Sequence, residues 1–249
     1  MLQVENLRKI YGETMKYEAL KGIDLTVNDG EFIGIMGPSG SGKSTFLNLV
    51  ATIDEPSSGK ILLNGKDPHQ LNQEEIAAFR RNQLGFVFQS FNLLPTLTVE
   101  ENIVLPLTLD GEKVAVMKRQ VKEVATRLGI GNLLKKRIAE ISGGQAQRVA
   151  VARAMIHQPE LVLADEPTGN LDTKSSKDVM GLLQQLNEEE KATILMVTHD
   201  PLAASYCERI VFIKDGKLVH EIRRQNDQQA FYNQIMEELA VIEGVDNEF

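Results

Sequence analysis

The sequence predicts an α/β protein with a mostly parallel core sheet, an antiparallel β portion at the N-terminus and a helical insertion. Three observations carry this. The runs "EFIGIM" (31–36), "ELVLAD" (160–165) and "ATILMVTH" (192–199) are apolar on both faces, as strands covered on two sides require. A helical stripe of Val179, Leu182, Leu183 and Leu186 lies between the last two, and strands alternating with helices build a parallel sheet. The first run leads into a glycine-rich turn and then a helix-compatible stretch, "KSTFLNLVATI".

The other elements follow in chain order. Leu2 and Val4 alternate with polar neighbours, as do Ile23, Leu25 and Val27, and Asn28-Asp29-Gly30 supplies a turn, so the first thirty residues read as β structure. Asn64-Gly65 after "GKILL" reads as a second hairpin. Residues 66–140 are richer in helix formers, with Val114, Met117, Val121, Val124 and Leu128 at helical spacing. The helical insertion is placed at about 90–158. "RIVFIKDGKLVHEI" (209–222) is a hairpin around Asp215-Gly216. The main domain is expected to cover 1–222. Residues 223–249 form an extension, a short amphipathic helix with Phe231, Ile235, Met236 and Leu239 on one face and then an acidic tail. That helix is expected to dock on its own subunit.

The 249 residues are 42% hydrophobic and 25% charged, enough for a sizeable core in one or two domains. A net charge of −8 argues against a general nucleic-acid binder. One cysteine, Cys207, excludes an internal disulfide and fits a reducing compartment. No apolar run approaches the roughly 20 residues that span a bilayer, and "MLQVENLRKI" lacks an apolar leader core. The expected location is the cytoplasm.

The strongest chemical signal is "GPSGSGKS", with Gly37, Pro38, Ser39, Gly40, Ser41, Gly42, Lys43 and Ser44 between a strand and a helix. The spacing G-x-x-x-x-G-K-S lets backbone N–H groups converge on phosphate oxygens at a helix N-terminus. Lys43 would reach the β- and γ-phosphates, Ser44 would ligate Mg²⁺, and Thr45 could add a hydroxyl contact. The motif specifies a nucleoside triphosphate. In "LVLADEP" (161–167) an apolar strand ends at Asp165, followed by Glu166. Ligands gather at the carboxyl ends of parallel strands. Strand alternation sends the two side chains apart, so Asp165 suits the Mg²⁺ shell and Glu166 suits a general base for water. His199 ends "TILMVTH" and Gln89 follows "GFVF" in the same manner. His199 is a candidate catalytic group near the γ-phosphate, and Gln89 a candidate contact to both Mg²⁺ and water. Tyr11, before the first loop, could stack on a base, or simply pack.

A second turn, Ser142-Gly143-Gly144-Gln145 in "ISGGQAQR", also opens into a helix-compatible run. It lacks a following lysine and a preceding buried strand, so it is not a second complete nucleotide site. The ordered set "GPSGSGKS", Gln89, "ISGGQ", "LVLADEP", "GNLD" and His199 resembles the ATPase subunits of ABC transporters over roughly residues 1–222. The resemblance implies a P-loop NTPase fold, ATP as the nucleotide with Tyr11 against the adenine, and Mg²⁺ as cofactor. It also implies a head-to-tail homodimer with two sandwiched ATP molecules. Ser142, Gly143, Gly144 and Gln145 of one subunit would cover the γ-phosphate held by the other, and Asp172 would cross the interface. A separate integral membrane permease is implied, which would hold the subunit at the inner face of the membrane.

"ADEPTGNLD" (164–172), "GFVFQSFNLLPTLTVEENI" (85–103) and "THD" (198–200) look most like the macrolide-export, lipoprotein-release, cell-division and bacitracin-resistance subgroup. Ile141 stands where leucine is commoner, and Ala146 where Glu or Gln is frequent; neither touches phosphate-binding atoms. Export of bacitracin-like peptides is favoured within this subgroup. Lipoprotein release, macrolide export and cell division remain alternatives, as does an ATP-dependent scaffold without turnover. Phe91, Leu93, Leu94 and Leu97 are candidates for a groove taking a permease helix, or for anchoring the insertion to the core.

Overall fold

The structure is a computed structural model and describes residues 1–225 and 227–244. A small antiparallel sheet comes first. Strand β1 (Leu2–Tyr11) pairs with β2 (Tyr17–Val27) on one side and with β4 (Ser58–Leu63) on the other. The large sheet has the order β5 (Leu84–Phe88), β6 (Leu161–Asp165), β7 (Ile194–Val197), β3 (Phe32–Met36), β8 (Arg209–Lys214), β9 (Lys217–Arg223). Its first five strands run parallel, and β9 returns antiparallel as one arm of the Asp215-Gly216 hairpin.

The sheet divides the core by residue parity. Phe32 and Met36 of β3, Val162 and Ala164 of β6, and Ile194 and Met196 of β7 face one layer. Ile33 and Ile35, Leu161 and Leu163, and Leu195 and Val197 face the other. A two-residue period with both phases apolar produces this division. The second layer contains the small sheet and α1 (Lys43–Val50). The first contains α3 (Val99–Leu109), α4 (Val114–Arg127), α5 (Gly143–Met155) and α6 (Thr173–Glu190). The N-terminal β portion and the helical insertion thus cover opposite faces of one sheet. The phosphate turn, the end of β6 and the segment after β7 share the sheet's carboxyl edge.

Two local expectations are corrected. The Asn64-Gly65 turn closes through paired Leu63 and Lys66 backbone bonds, but β4 pairs with β1 and no second hairpin strand follows. Only Lys66 returns before a short helical turn begins at Pro68. In the C-terminal helix α8 (Gln228–Glu243), Phe231 and Ile235 are buried and Leu239 packs against the core, while Met236 is 44% exposed. Steps of four from 231 keep one face, and 236 lies a residue off it. Helix α8 sits on the short helix α7 (Pro201–Ala204) of the same chain. The acidic residues expected at its end, Asp246 and Glu248, lie outside the described residues.

Candidate active site

The phosphate turn is held by close backbone packing. Gly37 has φ 148°, and a Cβ there would lie 2.0 Å from Ile213 O on β8, so no side chain is tolerated. Gly42 precedes α1 at φ 109°, and Pro38, Ser39 and Gly40 complete the arch to Ser41, whose N–H donates to Pro38 O at 3.2 Å. The Ser41 hydroxyl is buried with no hydrogen-bond partner. Lys43 is 8% exposed, and its ammonium donates to Gly37 O and Pro38 O, both at 2.8 Å. Burial pulls its pKa down, and the Glu166 carboxylate opposes that shift. Ser44 and Thr45 occupy the first turn of α1 beside it.

At the end of β6, Asp165 is half-buried, and burial followed by the charge of Glu166 raises its pKa. Glu166 is not a strand residue. Its φ is +45°, a left-handed conformation that costs a β-carbon-bearing residue on the order of 1–2 kcal/mol. Two backbone bonds fix it: Glu166 N–H donates to Val197 O at 2.9 Å, and Gly169 N–H donates to Glu166 O at 3.0 Å. Strand alternation therefore does not separate Asp165 from Glu166, as the sequence implied; a backbone reversal does. That reversal brings Glu166 Oε1 to 2.8 Å from His199 Nδ1. A carboxylate accepts here, so a neutral His199 ring carries its proton on Nδ1. His199 stands two residues beyond β7, where Thr198 N–H is anchored on Ile35 O at 3.2 Å. A cavity of about 360 Å³ lies beside the pair, lined by Thr168, Gly169, Ser176 and Asp200.

Gln89 follows β5, and its side chain lies against Gly169 so closely that a Cβ there would sit 2.6 Å from Nε2. Asn170 Nδ2 also donates to Gln89 O at 3.1 Å. The structure thus brings Lys43, Asp165, Glu166, His199 and Gln89 to one edge. Tyr11, at the end of β1, donates its hydroxyl to Asp54 Oδ2 at 2.7 Å, and the Lys9 ammonium lies 4.8 Å from the ring centroid. Burial and then the hydrogen bond to Asp54 raise the Tyr11 pKa, while Thr45 acts in the opposite sense.

The second turn is built differently. Ser142 caps α5, its Oγ accepting from Gln145 N–H at 3.3 Å, and Gln145 Oε1 accepts from Ser142 N–H at 3.0 Å. The helix starts at Gly143, and the side chain of Gln145 completes this capping box. Gly143 is exposed and Gly144 half-buried, and a Cβ on Gly144 would meet Ser175 Oγ at 2.8 Å. Asp172 caps α6, accepting from Lys174 N–H and Ser175 N–H at 3.0 Å each and from Ser175 Oγ at 2.7 Å. Those bonds lower its pKa.

The loop residues offered for a groove, or for anchoring the insertion, divide between the two. Leu93 packs against the core, and Leu94 is tied to Asn102, whose Oδ1 accepts its N–H at 2.7 Å. Phe91 lies over Gly143, whose added Cβ would be 3.8 Å from the ring. None of Phe91, Leu93, Leu94 or Leu97 lines the large apolar cleft nearby, of about 510 Å³. That cleft is formed by α2 (Gln73–Gln83), β5, α3 and the C-terminal end of α5, with Ala77, Phe86, Leu105, Pro106 and Leu109 among its apolar lining and Arg80, Arg81 and Arg153 beside them. Sequence reasoning also missed Gln147 and Arg153 on α5. Both are long polar residues in the alanine- and valine-rich run "QRVAVARAM", which was the available signal.

Comparison with known proteins bears on this geometry. The family model described as "ABC transporter" matches residues 20–169. The chain is 56% identical over 248 residues to the ABC transporter ATP-binding protein YxdL of Bacillus subtilis, covering 100% of this chain and 96% of that one. It is 50% identical over 250 residues to the bacitracin export ATP-binding protein BceA of Halalkalibacterium halodurans, covering 100% and 99%. The dimeric structure of the cassette MJ0796 superposes with a TM-score of 0.82 at 38% identity, over 91% of this chain and 100% of that one. The same cassette is also known in a post-hydrolysis state with ADP and Pi, with the same scores. The phosphate turn, the Glu166–His199 pair and the capped Ser-Gly-Gly turn therefore have one source: the chain belongs to the ABC transporter family, as one of its ATP-binding, ATP-hydrolysing subunits.

Proposed function

We propose that this subunit powers export of bacitracin-like peptides through a separate permease, working as a homodimer with two shared ATP sites. The Glu166–His199 contact at 2.8 Å beside Lys43 is the observation that carries the chemistry. Glu166 takes the proton of the attacking water, and His199 holds that carboxylate through Nδ1. Lys43 binds the β- and γ-phosphates of ATP, and Ser41, whose buried hydroxyl lacks a protein partner, donates to a phosphate oxygen. Tyr11 covers the adenine. Gly143, exposed, and Gly144, half-buried, at the N-terminus of α5 cap the γ-phosphate bound by the other copy, with Ser142 and Gln145 fixing that turn.

The donor set fits Mg²⁺. The hydroxyl of Ser44, the amide oxygen of Gln89 and the carboxylate of Asp165 are all hard oxygen donors. Among the described residues no group of three or more His, Cys, Asp and Glu is arranged to hold a metal, as expected for an ion held mainly by nucleotide phosphates. When bound, Mg²⁺ would neutralise developing phosphate charge.

Among the described residues no helix is long and apolar enough to cross a membrane, so the membrane step belongs to a partner. The cleft between α2 and α3 suits a cytoplasmic helix of that permease, with an apolar floor and arginines at its rim. This would place the subunit on the cytoplasmic face. The 50% identity to a bacitracin export protein over the full chain supports the peptide substrate. Reconstituted with its permease, the subunit should show ATPase activity stimulated by bacitracin-like peptides and not by macrolides; the reverse pattern would overturn the substrate. Leu109, 65% exposed at the cleft, tests the contact. Leu109→Asp should lose permease capture while stability stays within about 0.5 kcal/mol.

A further inference from the structure

Helix α5 grips the segment around Gln89 from both ends. Gln147, fully buried on α5, donates Nε2 to Phe88 O at 3.3 Å and to Pro167 O at 2.7 Å. Arg153, further along the same helix, donates to Phe91 O at 2.9 Å and to Asn92 O at 2.6 Å. The first contact precedes Gln89 and the second pair follows it. Phe91 and Asn92 have φ 60° and 48°, left-handed conformations that persist when surrounding bonds hold them. Pro167, the other acceptor of Gln147, directly follows Glu166.

Core packing alone does not explain Gln147. Its Oε1 is buried with no hydrogen-bond partner, a state that destabilises a fold relative to an apolar side chain of similar size. What the glutamine adds is a pair of directed bonds to backbone on either side of the catalytic edge. The rod that carries those bonds is a 13-residue helix, and its N-terminus is the Ser142-Gly143-Gly144 turn.

We infer that Gln147 and Arg153 are positioning residues that couple the Ser142–Gly144 turn to the chain's own Gln89 and Glu166. In a dimer that turn covers the partner's nucleotide, so each protomer senses one ATP at its turn and hydrolyses another at Glu166. Helix α5 transmits between the two because its side chains fix both catalytic loops to it. The coupling rests on the two-site dimer proposed above.

The test is turnover against ATP concentration for wild type, Gln147→Leu and Arg153→Gln, with affinity read separately using a fluorescent ATP analogue. Wild type should give a Hill coefficient above 1. Both variants should fall towards 1, with kcat reduced roughly 2–30-fold and analogue affinity within about twofold of wild type. A merely structural role would lower the active fraction and leave the Hill coefficient of the remaining enzyme unchanged; that result overturns the inference. If Gln147→Leu fails to fold, Arg153→Gln carries the same reading, because it removes only the far contact. Gel filtration of Glu166→Gln with ATP separates the two levels. No ATP-dependent dimer would overturn the dimer and the coupling together, whereas a trapped dimer with unchanged Hill coefficients overturns the coupling alone.

Discussion

Glu166→Gln is expected to lower ATP turnover by about 10²–10⁴-fold, equivalent to roughly 3–5 kcal/mol of barrier. The amide keeps the size of the side chain and an oxygen that still accepts from His199 Nδ1. What is lost is a group that takes a proton from water. Binding rests on other atoms, chiefly the arch from Gly37 to Lys43, so nucleotide affinity should be retained. The variant should therefore accumulate as an ATP-bound dimer. Phosphate release under steady state, with gel filtration in ATP, measures both. Turnover equal to wild type would remove Glu166 from its role as the base.

Ser142→Arg should also abolish hydrolysis, by a different route. Ser142 Oγ caps α5, and its loss costs about 1 kcal/mol, or about 2–4 °C in Tm for a chain of this size. That change alone leaves the catalytic edge of the same protomer intact. The larger effect is steric: a long side chain at 142 stands where the partner's nucleotide must be covered. Nucleotide binding by isolated protomers should survive, and ATP-dependent dimerisation should not. Ser142→Ala separates the two terms, since it loses the cap without adding bulk. Its Tm should fall comparably while turnover drops much less. Equal loss of turnover in both variants would show that helix capping, and not the covered phosphate, is what Ser142 supplies.

What was legible in the sequence was whatever a short contiguous stretch encodes. The phosphate turn, the strand end at Asp165 and the Ser-Gly-Gly turn each carry their geometry within a few residues, whereas the strand expected to end at His199 stops at Val197. The parity of β3, β6 and β7 was readable for the same reason, because a two-residue period with both phases apolar has one structural solution. Contacts across long sequence distances were not readable. Gln147 reaches Phe88 and Pro167, which are 59 and 20 residues away, and nothing near Gln147 in sequence announces either. For the stretch Phe91–Leu97 the sequence left two roles open, a groove for a permease helix or an anchor of the insertion to the core. In the structure Leu93 packs against the core and Asn102 holds the Leu94 backbone, while Asn92 of the same loop lines the open cleft with residues of α2, β5, α3 and the end of α5. Adjacent carboxylates also misled on direction: alternation holds inside a strand, and Glu166 lies one residue beyond it.

The left-handed backbone at Glu166 sets heat resistance against turnover at a single position. Glycine and asparagine enter that conformation more readily than glutamate, so either should relieve strain on the order of 1 kcal/mol. Neither supplies a base. A mutant library screened only for survival at high temperature should therefore enrich glycine or asparagine at position 166, and the most heat-resistant clones should be among the least active. Screens for a sturdier enzyme would need a turnover assay at every round, or they would breed out the catalyst.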